Sequence, residues 1–244
     1  MEHKVTKRIS RELQRISPEK ILRAKYLTSK NFLEGYAIIK GAPDSPYEGG
    51  FYIIKFSFPN PSDQSGKHYP FVPPICKYLT NCPHRQNPNL YENGKVCLSL
   101  INTWNTEDNR QEGGWKPSKN IEQVIISIQG NCFVSNALDC EPEYDYSIHF
   151  PKMTANYDKI VQYLNFKYNI LDLYLNPPVP QQYVEEVRSY IREHINQNKT
   201  WYVKTLDFLS KTIKKTTLSC SKYSTTKTVN IDYPQLTRKL ASVF

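Results

Sequence analysis

The sequence predicts an α+β chain, on three observations. An amphipathic helical pattern fills residues 4–16, Tyr/Ile/Phe-rich strand patterns recur between 36 and 79, and helical periods return from 121 almost to the end. Strands gathered in one block with helices before and after them point to α+β rather than to an alternating βαβ layout.

In the first helix Val5, Ile9, Leu13 and Ile16 recur at helical spacing, while Lys7, Arg8, Arg11 and Arg15 cover the other faces. Tyr36–Lys40 and Phe51–Phe58 are β-favouring runs on either side of Gly41-Ala42-Pro43-Asp44-Ser45-Pro46, which reads as an antiparallel pair joined by a turn. Ile75–Leu79 is expected as a third strand, after the Pro-rich Tyr69-Pro70-Phe71-Val72-Pro73-Pro74. Residues 81–119 hold no sustained period, and a stretch of that length inside a folded domain is usually functional.

Helix resumes at Ile121, where Asn120 can cap and Gln123 can close a capping box; Ile121, Val124, Ile125 and Ile128 form its buried stripe. Further helices are expected over about 154–175, stopped by Asn176-Pro177-Pro178, then over 181–197 and 200–215. Residues 216–228, with eight Ser/Thr, read as a loop, and Asp232 with Pro234 starts a short last helix.

The 244 residues include 39% apolar and 13% aromatic side chains, enough for a core, which excludes wholesale disorder. No apolar run approaches the roughly 18 residues of a membrane span, so no membrane role is expected. The opening Met1-Glu2-His3-Lys4 has no apolar region of a signal peptide. Six cysteines without a secretory signal then imply reduced thiols in cytoplasm or nucleus, with the sequon Asn198-Lys199-Thr200 idle. The richness in Lys, Asn, Ile and Tyr suggests an AT-rich genome of a protist or a large virus, and in the viral case the host cytoplasm.

The net charge of +9 sits at the ends: residues 1–30 carry nine Lys/Arg against three Asp/Glu, and 201–244 carry eight against two. The slightly acidic body between them does not resemble a nucleic-acid groove, which interleaves basic and aromatic residues. Basic ends suit acidic protein partners, and for the last segment a merely solvated basic face is as good a reading.

Chemistry concentrates in Asn87-Pro88-Asn89-Leu90-Tyr91-Glu92-Asn93-Gly94-Lys95-Val96-Cys97-Leu98-Ser99. A cysteine just after an Asn-Gly turn, beside a Pro corner, is expected to be accessible, and a fixed side-chain amide near it can stabilise an acyl-transfer oxyanion. From the residues alone, Cys97 is equally a small buried hydrophobe. Cys76, Cys82, His84 and Cys97 lie close together without C-x2-C spacing, so no metal is expected. A papain-like pairing of Cys97 with His84 or His149 is chemically possible and would make a hydrolase.

Taken in order, these residues resemble the ubiquitin-conjugating enzymes. The resemblance runs through Lys7-Arg8-Ile9-Ser10-Arg11-Glu12-Leu13, Gly41 to Gly50, Tyr69 to Pro74, the Asn-Pro-Asn corner with Gly94-Lys95-Val96-Cys97-Leu98, and Trp115-Lys116-Pro117-Ser118. Asn87 stands where most of the family has His, a residue generally regarded as structural. The Asn-Pro-Asn form, with Thr103-Trp104 and a helical C-terminal extension, is most similar to the large members that work with the second ubiquitin-activating enzyme.

The resemblance implies a ubiquitin-conjugating fold: an N-terminal helix, a four-stranded antiparallel sheet, a central helix and a helical C-terminal extension. The core would span 1–165 and the extension 166–244. It implies that Cys97 takes ubiquitin or a ubiquitin-like modifier from an activating enzyme as a thioester. The modifier then passes to a substrate lysine, with or via a ligase and with no cofactor of the protein's own. Asn89 would stabilise the oxyanion or hold the loop in shape. Asp139, with Glu141 as alternative, would take the lysine's proton. Lys7, Arg8 and Arg11 would meet the activating enzyme, and Phe71, Pro117 and Ser118 would form the two loops that ligases grip. The ten residues Asn105–Gly114 would overhang Cys97 as a filter, or be a tolerated insertion. Non-catalytic relatives of this fold lack the cysteine.

Overall fold

The strand-forming runs pair into one antiparallel sheet in the order β1-β2-β3-β4: β1 (Ala24–Thr28), β2 (Glu34–Lys40), β3 (Phe51–Ser57) and β4 (Ile75–Leu79). This computed structural model describes residues 2–16, 23–30, 32–60, 67–104, 114–135, 137–138, 150–219 and 228–244. The chain divides into two units, one of Met1–Ile39, Tyr52–Leu79 and Asn89–Phe133, the other of Lys40–Phe51, Thr80–Pro88 and Val134–Phe244.

In the first unit β2 and β3 are buried almost throughout, which explains their unbroken apolar runs. β4 alternates instead, with Ile75 and Lys77 exposed and Cys76 and Tyr78 buried. β1 pairs with β2 from Ala24↔Ile39 to Thr28↔Gly35, and β3 with β4 from Ile53↔Leu79 to Ser57↔Ile75. Helix α1 (Glu2–Arg15) buries Val5 and Ile9 as expected, but the next inward position belongs to Glu12, and Leu13 is only half-buried. Helix α2 (Ile121–Cys132) begins with the expected capping box: Gln123 N donates to Asn120 Oδ1 at 2.9 Å and Asn120 N to Gln123 Oε1 at 3.1 Å. Its buried stripe includes Val124, Ile125, Ile128 and Cys132, and beyond it Phe133 meets the Tyr52 ring at 4.4 Å.

The second unit is mostly helical. Helix α3 (Phe150–Phe166) continues through a π-helical stretch (Lys167–Asp172) into α4 (Leu173–Leu175), so the 165/166 boundary expected from sequence falls inside an unbroken helical run. The run stops at Asn176-Pro177-Pro178, where proline cannot extend it. Arg188 covers the end, its Nε donating to Tyr174 O at 2.9 Å and an Nη to Leu175 O at 2.8 Å. Helices α5 (Gln181–Gln197) and α6 (Lys199–Thr212) follow, and α6 ends three residues before the expected 215. The Ser/Thr-rich stretch contributes a strand: β5 (Thr216–Leu218) pairs antiparallel with β6 (Val229–Ile231). Asp232 caps α7 (Tyr233–Ala241), accepting from Gln235 N at 2.9 Å.

Within this unit the turn between β2 and β3 is gripped by the helices. Asn165 donates from Nδ2 to Glu48 O at 2.8 Å, and the Tyr202 hydroxyl donates to Gly49 O at 2.6 Å. Gly49 has φ +76, and a Cβ there would stand 2.6 Å from the Trp201 ring, so both its backbone and its neighbour require glycine.

Candidate active site

The Asn-Gly signal does form a tight turn, and it makes residues 89–97 a short ribbon. Gly94 has φ +90 and donates to Tyr91 O at 2.9 Å; Tyr91 N donates to Lys95 O at 3.0 Å, and Cys97 N to Asn89 O at 2.8 Å. Leu90 and Val96 bridge between these pairs. Side chains alternate along such a ribbon. Leu90 and Val96, each 1% exposed, face the core, which leaves Asn89, Tyr91, Lys95 and Cys97 together on the other face. Backbone pairing thus sets Asn89 directly opposite Cys97.

The strand is clamped from its far side by Thr103. Its hydroxyl donates to Val96 O at 2.7 Å and accepts from Leu98 N at 2.9 Å, and its backbone N donates to Leu98 O at 3.1 Å. Both neighbours of Cys97 are therefore fixed by one side chain. The turn Ser99–Ile101 closes on Asn102, whose left-handed φ of 58 aims Oδ1 at Trp115 N, 3.0 Å away.

Of the two readings the residues left open for Cys97, an accessible thiol and a small buried hydrophobe, the structure has the buried one. Cys97 is 8% exposed, and its thiol donates to Thr103 O at 3.5 Å. Reaction as a thiolate requires giving up that bond. Cys76, in the sheet, is also 8% exposed, and burial there pushes its thiol well above the ordinary range. Among the described residues Cys76, Cys82, Cys97 and Cys132 are free thiols, and no group of three or more His, Cys, Asp or Glu could hold a metal ion.

The expected docking residues lie on the first unit. Lys7 and Arg11 are exposed on α1, and Phe71 is 67% exposed in its loop, with Pro117 and Ser118 also exposed. Arg8 is different from its neighbours. One of its Nη atoms donates to Pro117 O at 3.3 Å and Lys119 O at 3.1 Å, and its Nε bonds Glu12. Burial works against the guanidinium's charge, but the Glu12 bond and charge outweigh it and hold Arg8 above its ordinary range. Arg8, expected to meet the activating enzyme, is thus also bonded to the Pro117–Lys119 loop. Trp115 does the same for the other loop, donating from Nε1 to Pro70 O at 2.7 Å.

In the second unit the corner residue Asn87 donates from Nδ2 to the Tyr47 hydroxyl at 2.8 Å, and that hydroxyl donates to Gln86 O at 3.0 Å. Tyr157 adds a hydroxyl to Arg85 O at 2.9 Å. A buried amide thus has a defined structural duty where most of the family carries His. Asp139, its alternative Glu141, and 105–113 of the expected overhanging loop lie outside the described residues.

Sequence reading missed the Thr103 clamp and the buried Glu12. Glu12 stands three residues after Ile9, a spacing that would have marked it as inward-facing; Thr103 carries no such signal, since its partners are set by the turn.

A family model described as Ubiquitin-conjugating enzyme matches residues 8–161. The chain belongs to the ubiquitin-conjugating enzyme family. It is 36% identical over 140 residues to human "Ubiquitin-conjugating enzyme E2 Z", covering 57% of this chain and 35% of that protein. It is 37% identical over 147 residues to the Caenorhabditis elegans "Probable ubiquitin-conjugating enzyme protein 17", covering 57% and 19%. Over 146 residues it is 34% identical to human "Dual E2 ubiquitin-conjugating enzyme/E3 ubiquitin-protein ligase BIRC6", covering 57% and 3%. The match spans about a third of the E2 Z relatives' length.

Proposed function

We propose that this protein is a ubiquitin-conjugating enzyme that carries ubiquitin, or a ubiquitin-like modifier, as a thioester on Cys97. The observation that carries the reading is the pairing of Cys97 with Asn89 across a ribbon that lies within the residues the family model matches. The Cys97 thiolate attacks the thioester of the activating enzyme, whose own thiolate leaves. A substrate lysine amine, or a ligase cysteine, then attacks the carbonyl held on Cys97 and the Cys97 thiolate leaves in turn.

During the aminolysis step charge gathers on the carbonyl oxygen. The Asn89 side chain is the proposed stabiliser, and loss of one such donor typically costs about 10²–10³ in rate. A second duty for Asn89, holding the loop, is favoured by its carbonyl's bond to Cys97 N. Asp139 is the proposed acceptor of the attacking lysine's proton.

The partners follow from the family: an activating enzyme meeting Lys7, Arg8 and Arg11, and a ligase meeting Phe71, Pro117 and Ser118. The resemblance of the Asn-Pro-Asn motif and helical extension to the large members of the family favours the second kind of activating enzyme, and a cytoplasmic or nuclear setting is proposed with it. The test mixes protein, ATP and ubiquitin with each kind of activating enzyme and compares gels with and without thiol. A thiol-sensitive band one ubiquitin heavier is expected; no adduct from folded protein with either enzyme would leave a different modifier or a binding role.

A further inference from the structure

The ribbon that presents Cys97 also presents an amine. Lys95 is exposed, two residues before Cys97 and on the same face. Two residues of extended chain span roughly 6.5 Å, which is within a lysine side chain's reach. Across the ribbon its Nζ sits over the Tyr91 ring, 5.4 Å from the centroid, an arrangement that attracts a cation to the ring face. Lys77 pairs opposite Lys95 in the ladder, and its stem lies against Gly94 at the turn.

We propose that Lys95 is a self-acceptor for the modifier carried on Cys97, and that the Tyr91 ring restrains it. The proposal rests on Cys97 being the thioester carrier. The Lys95 ammonium releases a proton to solvent, and the Nζ lone pair attacks the thioester carbonyl carbon. The nitrogen then gives up its second proton to solvent, the carbon–sulfur bond breaks with its electron pair returning to Sγ as thiolate, and an isopeptide bond joins the modifier to Lys95. No oxidant or further reactant enters. Because both groups ride on one short ribbon, the step is unimolecular, the situation in which proximity gives its largest rate gains. The Tyr91 contact holds the amine as a cation over the ring, and at an exposed site such a contact biases populations by about two- to fivefold. The ribbon thus lets external lysines compete before self-transfer ends the cycle.

The experiment loads the full chain with ubiquitin, removes ATP, dilutes the product without added amine, and follows the change from thiol-sensitive to thiol-resistant adduct. Expected is a first-order conversion, independent of protein concentration, with the isopeptide mapped by peptide mass spectrometry to Lys95. Lys95→Arg is expected to load normally and to slow conversion tenfold or more, with Lys77→Arg unchanged. Tyr91→Ala is expected to speed conversion about two- to fivefold, and Tyr91→Phe, which keeps the ring, to leave it unchanged. Conversion mapped elsewhere, dependent on concentration, or unaffected by Lys95→Arg would overturn the proposal while leaving the thioester reading intact. Absence of the initial thiol-sensitive adduct would overturn both.

Discussion

The Tyr69 hydroxyl donates to the Glu12 carboxylate at 2.6 Å, and the same carboxylate oxygen accepts from Ile121 N at 2.9 Å. One buried acid therefore ties α1, the loop before Phe71 and the first turn of α2, where the helix N-terminus favours negative charge. Glu12→Ala would strip three donors of their partner. We predict a loss of about 3 kcal/mol or more, read by urea unfolding, with Glu12→Gln milder. Burial, reinforced by the Glu12 charge and bond, pushes the Tyr69 hydroxyl above its ordinary range. The unfolded tyrosine ionises near pH 10 while the folded one keeps its proton, so this contribution falls as pH rises beyond about 10.

Arg8 and Arg11 separate docking from folding. Arg8→Glu breaks the bonds to Glu12, Pro117 O and Lys119 O, so we predict a melting temperature several degrees lower along with slower loading. Arg11→Glu, on the exposed face, is predicted to slow loading at low salt with its melting temperature unchanged. Equal melting temperatures for the two variants would contradict the duty assigned to Arg8.

Thr103→Ala removes the hydroxyl that pins both neighbours of Cys97. The predicted outcome is about 1–2 kcal/mol of lost stability and a slower single-turnover discharge to free lysine. Thr103→Ser, which keeps the hydroxyl, is predicted to restore both; rescue by Val instead of Ser would show that only packing matters.

Burial, with the Lys40 charge adding to it, pushes the His194 imidazole down to about 4. The ring packs edge-on against Phe51 at 5.5 Å and Tyr202 at 6.4 Å. Between pH 6.5 and 4 the unfolded histidine takes up a proton that the folded one refuses, so stability falls as pH drops through this window and is complete above it. Solvent screening of a partly exposed ring keeps the effect modest. The stability difference between wild type and His194→Gln is predicted to shrink from pH 6.5 to 4 in urea titrations. A difference that stays constant would contradict this.

Local chemistry was legible in the sequence, and long-range pairing was not. The Asn120–Gln123 capping box, the Asn93-Gly94 turn and the Asp232 cap each depend on residues a few positions apart, and each forms as read. β1 escaped notice because Ala24-Lys25-Tyr26-Leu27-Thr28 has little strand character until β2 supplies its partner. β5 was lost in a Ser/Thr-rich stretch for the same reason: Thr216 finds its partner only at Ile231. The ribbon around Cys97 was recognisable as a motif, yet its hydrogen bonds to Thr103, set by the intervening turn, are something periodicity does not record. Leu13 and Glu12 both lie near the inward face of α1, and hydrophobicity favoured the wrong one: the buried position has three hydrogen-bond donors waiting for a carboxylate.

The central claim is that Cys97, and no other cysteine, carries the modifier. Intact-mass analysis after loading tests it directly, on wild type, Cys97→Ser, Cys97→Ala, and a variant with Cys76, Cys82 and Cys132 replaced by Ala. Expected are one thiol-labile modifier on wild type and on the triple variant, a thiol-resistant oxyester on Cys97→Ser, and none on Cys97→Ala. A thiol-labile adduct that survives Cys97→Ala would contradict it.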